Sequence, residues 1–161
     1  MAILTESGRI ALAKRVKELP IFMAWGEGEG ASSKDGNIEK LKTPLGILNA
    51  AEVAYVTSVD INQQAEIDVD TGKFNRSKSG VPTKHLYFKF QFDFEDAQGK
   101  IIKELGVFVG KKVGAPQDTG YQQTSKMNAI IKACDLLLFE LRKPIHRDEG
   151  VRETFEFVIT F

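Results

Sequence analysis

From Lys84 to Phe94 the chain alternates without error: Leu86, Phe88, Phe90, Phe92 and Phe94 interleave with His85, Tyr87, Lys89, Gln91 and Asp93. A period of two over that length is a long β-strand with one dry and one wet face, and no helix can accommodate it. Buried at about 1.5–3 kcal/mol per side chain, the five apolar residues are enough to anchor the core of a β-sandwich. Aromatic residues at this spacing can also stack nucleic-acid bases, and Thr71 to Phe92 carries five Lys/Arg and no acid. Base stacking, however, needs the cations on the aromatic face, and alternation puts Lys89 on the opposite one. The core reading therefore prevails.

Further strands follow the same reasoning. Val53, Tyr55, Thr57 and Val59 alternate within Ala50 to Val59, Ala65 to Val69 is a second short strand, and Asp70-Thr71-Gly72 supplies turn chemistry after it. Ile21 to Trp25 is a short apolar run suited to a buried strand. Ala97-Gln98-Gly99-Lys100 is a turn, so Ile101 to Val109 is expected to return antiparallel to the phenylalanine strand as a hairpin. Within it Gly106 marks a bulge, a positive φ or the close approach of another backbone. The end of the chain alternates from Val151 to Phe161, and a strand reaching the last residue must be pinned in a sheet, because free termini fray.

Helical signals are fewer. Thr5 and Glu6 form a helix start, Pro20 prevents continuation, and Leu12, Ala13, Val16 and Leu19 are expected to share an inward face. Between Met127 and Leu141 two periods overlap: Met127, Ile130, Ile131, Cys134, Leu138 and Leu141 fit a helix, whereas Leu137, Phe139, Leu141 and Ile145 fit a strand. Local propensity, rich in Leu, Lys and Ala, prefers the helix over the segment, yet a strand near Leu136 to Arg142 is favoured. The fold class expected is mainly β, with α+β as the alternative: an antiparallel β-sandwich with an amino-terminal amphipathic helix. Residues 1–161 are read as a single domain, with a helix over about 6–18, a long loop over about 26–44 and a β-rich body over about 45–161.

Charge and cysteine usage exclude several function classes. Twenty-two Lys/Arg balance 22 Asp/Glu, so no global field draws the chain to nucleic acid or to a membrane surface. Cys134 is alone and cannot form an intrachain disulfide, and with only His85 and His146 as companions no zinc site is expected. Glu6 stands where a signal peptide would carry positive charge, and no apolar run approaches the ~20 residues of a membrane span. Synthesis in a cytoplasm as a soluble protein is the expectation.

Candidate chemistries fail on spacing. Gly26-Glu27-Gly28-Glu29-Gly30 lacks the Gly-Lys-Ser/Thr of a phosphate cradle and carries two acids that would repel a phosphate, so it reads as a surface or interface loop. Asp68 and Asp70 begin like a calcium loop, but the later ligands are absent at their offsets. Glu27 and Glu29 are too ordinary a pair to specify a glycosidase. No catalytic, cofactor-binding or metal-binding residue is assigned, and no cofactor is expected.

Leu4-Thr5-Glu6-Ser7-Gly8-Arg9, Ala24-Trp25-Gly26 before a glycine-rich loop, Pro82 to Tyr87 with Phe90 to Phe94, Glu104-Leu105-Gly106-Val107-Phe108 and the closing Phe155 to Phe161 together resemble small tail-associated structural proteins of tailed bacteriophages. The middle motif also resembles the amino-terminal domain of phage tail-collar fibre proteins. Ser125 to Cys134 departs from the family pattern, carrying helix-like residues where a glycine turn leads into a strand. The resemblance implies a virion protein of the tail tip or baseplate, present in several copies in a symmetric assembly. Its partners would be other tail or baseplate proteins, as an adaptor to a tail fibre, with neither nucleic acid nor membrane among them. Two alternatives stand beside it: a lectin-like module using Tyr55, Tyr87 and Tyr121 as exposed aromatics, and a small hydrolase.

Overall fold

A computed structural model describes residues 1–28, 41–94, 96–110, 124–148 and 150–161. The chain is mainly β, with two antiparallel sheets and an amino-terminal helix. Its backbone divides into two units, Met1–Leu19 with Ala51–Lys89 and Phe155–Phe161, and Pro20–Ala50 with Phe90–Thr154.

In the first unit, helix α1 (Glu6–Lys17) starts where the sequence places it. The Thr5 hydroxyl accepts from the Gly8 backbone N–H at 3.1 Å, satisfying a donor the first turn leaves open. The inward face differs from the expected one. Ala13 is buried and Ile10 and Val16 are half-buried, whereas Leu12 and Leu19 are 46% and 41% exposed. The cause is Lys17, whose ammonium lies 5.4 Å from the centre of the Tyr55 ring, so a lysine stem fills the position on the inward stripe that an apolar residue would otherwise take.

Five strands form the sheet associated with this unit, in the order β4 (Ile67–Val69), β5 (Gly72–Arg76), β3 (Glu52–Ser58), β6 (His85–Phe92) and β9 (Glu153–Thr160). Strand β5, unmarked in the sequence, returns along β4 through the Asp70-Thr71-Gly72 turn, where Gly72 adopts a φ of 137° that side chains disfavour. Val56, Ile67, Phe74, Tyr87 and Val158 form one buried cluster. Tyr87 lies on the face assigned to water, yet it is 1% exposed, because Val56, Phe74 and Val158 surround its ring and Glu156 accepts its hydroxyl proton. The last strand is pinned as expected: the Phe161 N–H donates to the Lys84 carbonyl at 3.0 Å.

The second unit is built on the sheet β2 (Pro44–Asn49), β1 (Ile21–Gly26), β7 (Ile101–Gly110) and β8 (Cys134–His146). Here the expected hairpin is overturned, since β7 pairs with β1 and β8, not with β6. The Ala97–Lys100 turn does form, but its hydrogen bonds run elsewhere: Gly99 N–H donates to the Arg147 carbonyl and Arg147 N–H to the Lys100 carbonyl, both at 3.0 Å, which ties β7 to the end of β8. All six residues of β1 are buried, as its unbroken apolar run requires of a central strand.

The ambiguous region holds both elements in succession. Helix α2 (Thr124–Lys132) ends as Ala133 N–H donates to the Ala129 and Ile130 carbonyls, and β8 begins at Cys134. Met127 and Ile130 of α2 pack on Phe22, Ala24, Leu41, Ile47 and Phe108, with Leu136 and Phe139 of β8 at the margin. Phe88, Phe90 and Phe92 are completely buried as expected, and Phe92 meets Trp25 edge-on with ring centres 4.0 Å apart. Phe94, expected in the same dry row, is instead 46% exposed, because β6 ends at Phe92. Most of the loop expected over 26–44 lies outside the described residues.

Candidate interaction site

Two sequence motifs that carry the resemblance are neighbours in space. Strands β1 and β7 align Ala24 with Gly106, Trp25 with Leu105 and Gly26 with Glu104. Glu104 is 1% exposed, an acid in an otherwise apolar stretch, and such a group persists only when its oxygens find donors. They do: Oε1 accepts from Thr43 N–H at 2.9 Å and Oε2 from Lys42 N–H at 3.3 Å. A β-carbon at Gly28 would lie 2.6 Å from the Glu104 carboxyl carbon, and one at Gly26 would collide with the same side chain. The glycines of Gly26-Glu27-Gly28 thus make room for a carboxylate of the protein itself. That carboxylate ties residues 42 and 43 to the end of β1, on either side of the segment 29–40.

A second polar anchor organises the turn after β6. Arg147 is 3% exposed and donates to three backbone carbonyls, those of Asp93 at 2.7 Å, Val151 at 3.0 Å and Asp96 at 3.2 Å. Its guanidinium lies 5.2 Å from the centre of the Phe92 ring. The Asp96 carboxylate in turn accepts from Asp93 N–H at 2.8 Å. Two turns distant in sequence are therefore held as one platform, and on it stand Phe94 and Val151, 46% and 47% exposed. Arg152 sits 5.0 Å from the Phe94 ring centre and pairs with Asp93 at 2.8 Å. An exposed aromatic and an arginine on a fixed base are the residue types that dominate protein interfaces.

The first unit carries a charged lattice across its strands. Arg76 on β5 forks onto Glu52 of β3, with bonds of 2.7 and 2.9 Å, and also reaches Glu66. The Arg76 side-chain bond holds Glu52 below the usual carboxylate range, and its backbone N–H does the same for Glu66. Burial and the bond to Glu156 push the Tyr87 hydroxyl pKa well upward. A shallow groove of about 310 Å³ lies in this unit between α1 and the segment 82–85, spanned by the Glu6–Lys84 ion pair at 3.1 Å.

The residues weighed for chemistry are dispersed. His85 is bonded through Nδ1 to the Thr160 hydroxyl at 2.7 Å, with burial, then Lys84, lowering its pKa. His146 is exposed at the end of β8, and Cys134 begins the same strand with its thiol pKa raised by burial. Asp68 and Asp70 flank a turn, and Glu29 and Tyr121 lie outside the described residues. No group of three or more His, Cys, Asp or Glu converges among the described residues. Of the tyrosines expected to be exposed, Tyr87 is buried and cannot stack on a sugar. No described helix is long and apolar enough to cross a membrane.

Buried Glu104 and Arg147 thus each tie backbone segments together, the acid through N–H groups and the arginine through carbonyls. Residues 1–161 match the family described as baseplate wedge 3 tail fiber network component, and the chain belongs to that family. No curated protein sequence matches it. It is a structural component of a phage baseplate, a virion tail protein that contacts other baseplate or tail proteins.

Proposed function

We propose that this protein is a non-enzymatic adaptor that joins the baseplate to the tail-fibre network, present in several copies around the tail. The observation that carries this reading is the platform of Arg147, which presents Phe94, Val151 and Arg152 outward while its own charge is satisfied by backbone carbonyls. Nearly half-exposed apolar side chains on so constrained a base contribute little to the fold and are suited to a partner's pocket.

Reconstitution tests it. Phe94→Ala, which removes an exposed ring, is expected to leave the melting temperature within about 2 °C of the parent. It should also lower incorporation of the fibre into particles assembled from the variant. Full fibre incorporation with Phe94→Ala and with Phe94→Ala/Val151→Asp would overturn the assignment of this surface to the fibre junction.

A further inference from the structure

We propose that the outer edge of β8, the end strand of its sheet among the described residues, pairs with the same edge of a second copy of this chain, antiparallel about a two-fold axis at Leu141. The inference goes beyond the adaptor reading and does not depend on which neighbour the platform meets.

Among the described residues, β8 is the end strand of its sheet, and at 13 residues it outruns the 10 of β7 that it pairs with. Edge strands are ordinarily kept short or blunted by proline and charge. The opposite edge of the sheet obeys this, since β2 has six residues and opens on Pro44. Strand β8 does not: Leu137, Leu138 and Phe139 are only half-buried, and Leu141 is 39% exposed. Apart from Asp135 and the oppositely charged Glu140 and Arg142, its blunting residues, Lys143 and Pro144, come late, where the register against β7 slips between Ile102 and Glu104. From Leu138 to Leu141 the ladder is regular, aligned one to one with Val107 to Glu104.

Charge decides the occupant and the register. Glu140 and Arg142 flank Leu141 on one face of the strand and pair with each other at 2.8 Å. In an antiparallel pair about a two-fold axis, the residue on the axis faces its own copy. An axis at Glu140 would oppose two carboxylates, and one at Arg142 two guanidinium groups, each destabilising. An axis at Leu141 opposes two leucines and sets Glu140 against the partner's Arg142, and Arg142 against the partner's Glu140. Pro144, which has no N–H to donate, then stands opposite the partner's Leu138 and closes the ladder at both ends. The strand is complementary to itself in this register, which is why a second copy is the occupant.

Directly opposed residues in such a pair bring their β-carbons to about 4.5–5.5 Å, near enough for a disulfide after a small shift. The test uses the full chain with Cys134→Ser, to remove the native thiol, and either Leu141→Cys or Ile61→Cys, the latter at a site 74% exposed in the first unit. Under mild oxidation Leu141→Cys should give a covalent dimer about tenfold faster than Ile61→Cys. Adding Glu140→Arg or Arg142→Glu alone should slow that reaction about tenfold, and the two together should restore it. Circular dichroism identifies any variant that fails to fold, in which case the Leu141→Cys and Ile61→Cys comparison decides alone. Equal rates at the two sites, or a rate in folded variants indifferent to the single charge reversals, would overturn the proposal.

Discussion

Gly106 and Ala24 face each other in the ladder between β7 and β1, and across β7 the same glycine faces Phe139 of β8. The φ of Gly106 is unexceptional, so what the site lacks is space. A β-carbon there would lie 2.5 Å from Leu41 Cδ1 and 2.9 Å from Leu136 Cδ1. Of the causes expected from the sequence for a mid-strand glycine, a close approach is realised, but by the Leu41 and Leu136 side chains and not by another backbone. Gly106→Ala should destabilise the protein by about 1–3 kcal/mol through overpacking, and Gly106→Val by more. Thermal denaturation of the two variants side by side checks this; a melting temperature raised by both would contradict it.

Glu104 offers a second test. Glu104→Ala leaves the Lys42 and Thr43 N–H groups without their acceptor, a loss of about 1–3 kcal/mol in urea denaturation. Glu104→Gln keeps one oxygen in place and should lose less. The order of the two variants is the diagnostic result, and a Gln variant as damaged as the Ala variant would assign the site to charge alone.

Arg147→Met keeps an unbranched stem beside the Phe92 ring but deletes every donor to the Asp93, Asp96 and Val151 carbonyls. The expected cost is about 1.5–3 kcal/mol, the range for hydrogen bonds to a charged group. Hydrogen exchange at the Asp93 amide, bonded to Asp96, should accelerate in the variant, since the platform loses its tie. Unchanged exchange there would separate Arg147 from the turn's rigidity.

Acid sensitivity follows from Arg76. Both Glu52 and Glu66 have folded-state pKa values below the ordinary 4.5, so their pairing contributes fully above that value and is lost as pH falls through the folded-state values. The stability gap between the parent and Arg76→Gln should therefore be constant near neutrality and shrink below about pH 4.5. A gap that does not change between pH 7 and pH 3, measured by denaturant titration, would contradict the pairing.

How much of this the sequence discloses depends on how local the determinant is. The alternation of Leu86 to Phe92 specifies a strand because side-chain period is a property of the strand itself. Its partner is not local: β6 and β7 are joined by a good turn, yet the Lys100 and Gly99 hydrogen bonds to Arg147 commit β7 to another sheet. Strand β2 escaped notice because Pro44-Leu45-Gly46-Ile47-Leu48-Asn49 has no alternation, and its glycine is required by the Trp25 ring, which a β-carbon at Gly46 would approach to 2.7 Å. Leu12 misleads because the inward stripe runs through Lys17 instead, whose stem serves as cover for Tyr55. At the candidate site, Glu104 had a readable signal, a lone acid inside the apolar strand from Ile101 to Val109. Arg147 had none, since its partners are backbone carbonyls that every residue possesses.

Whether the chain is a structural part of the baseplate at the fibre junction is tested most directly by the structure of the intact virion. The account predicts several symmetry-related copies at the baseplate, with Phe94 and Arg152 buried against a fibre-network protein. Particles in which the chain is absent, or in which it is present with the Phe94 surface open to solvent, would contradict it.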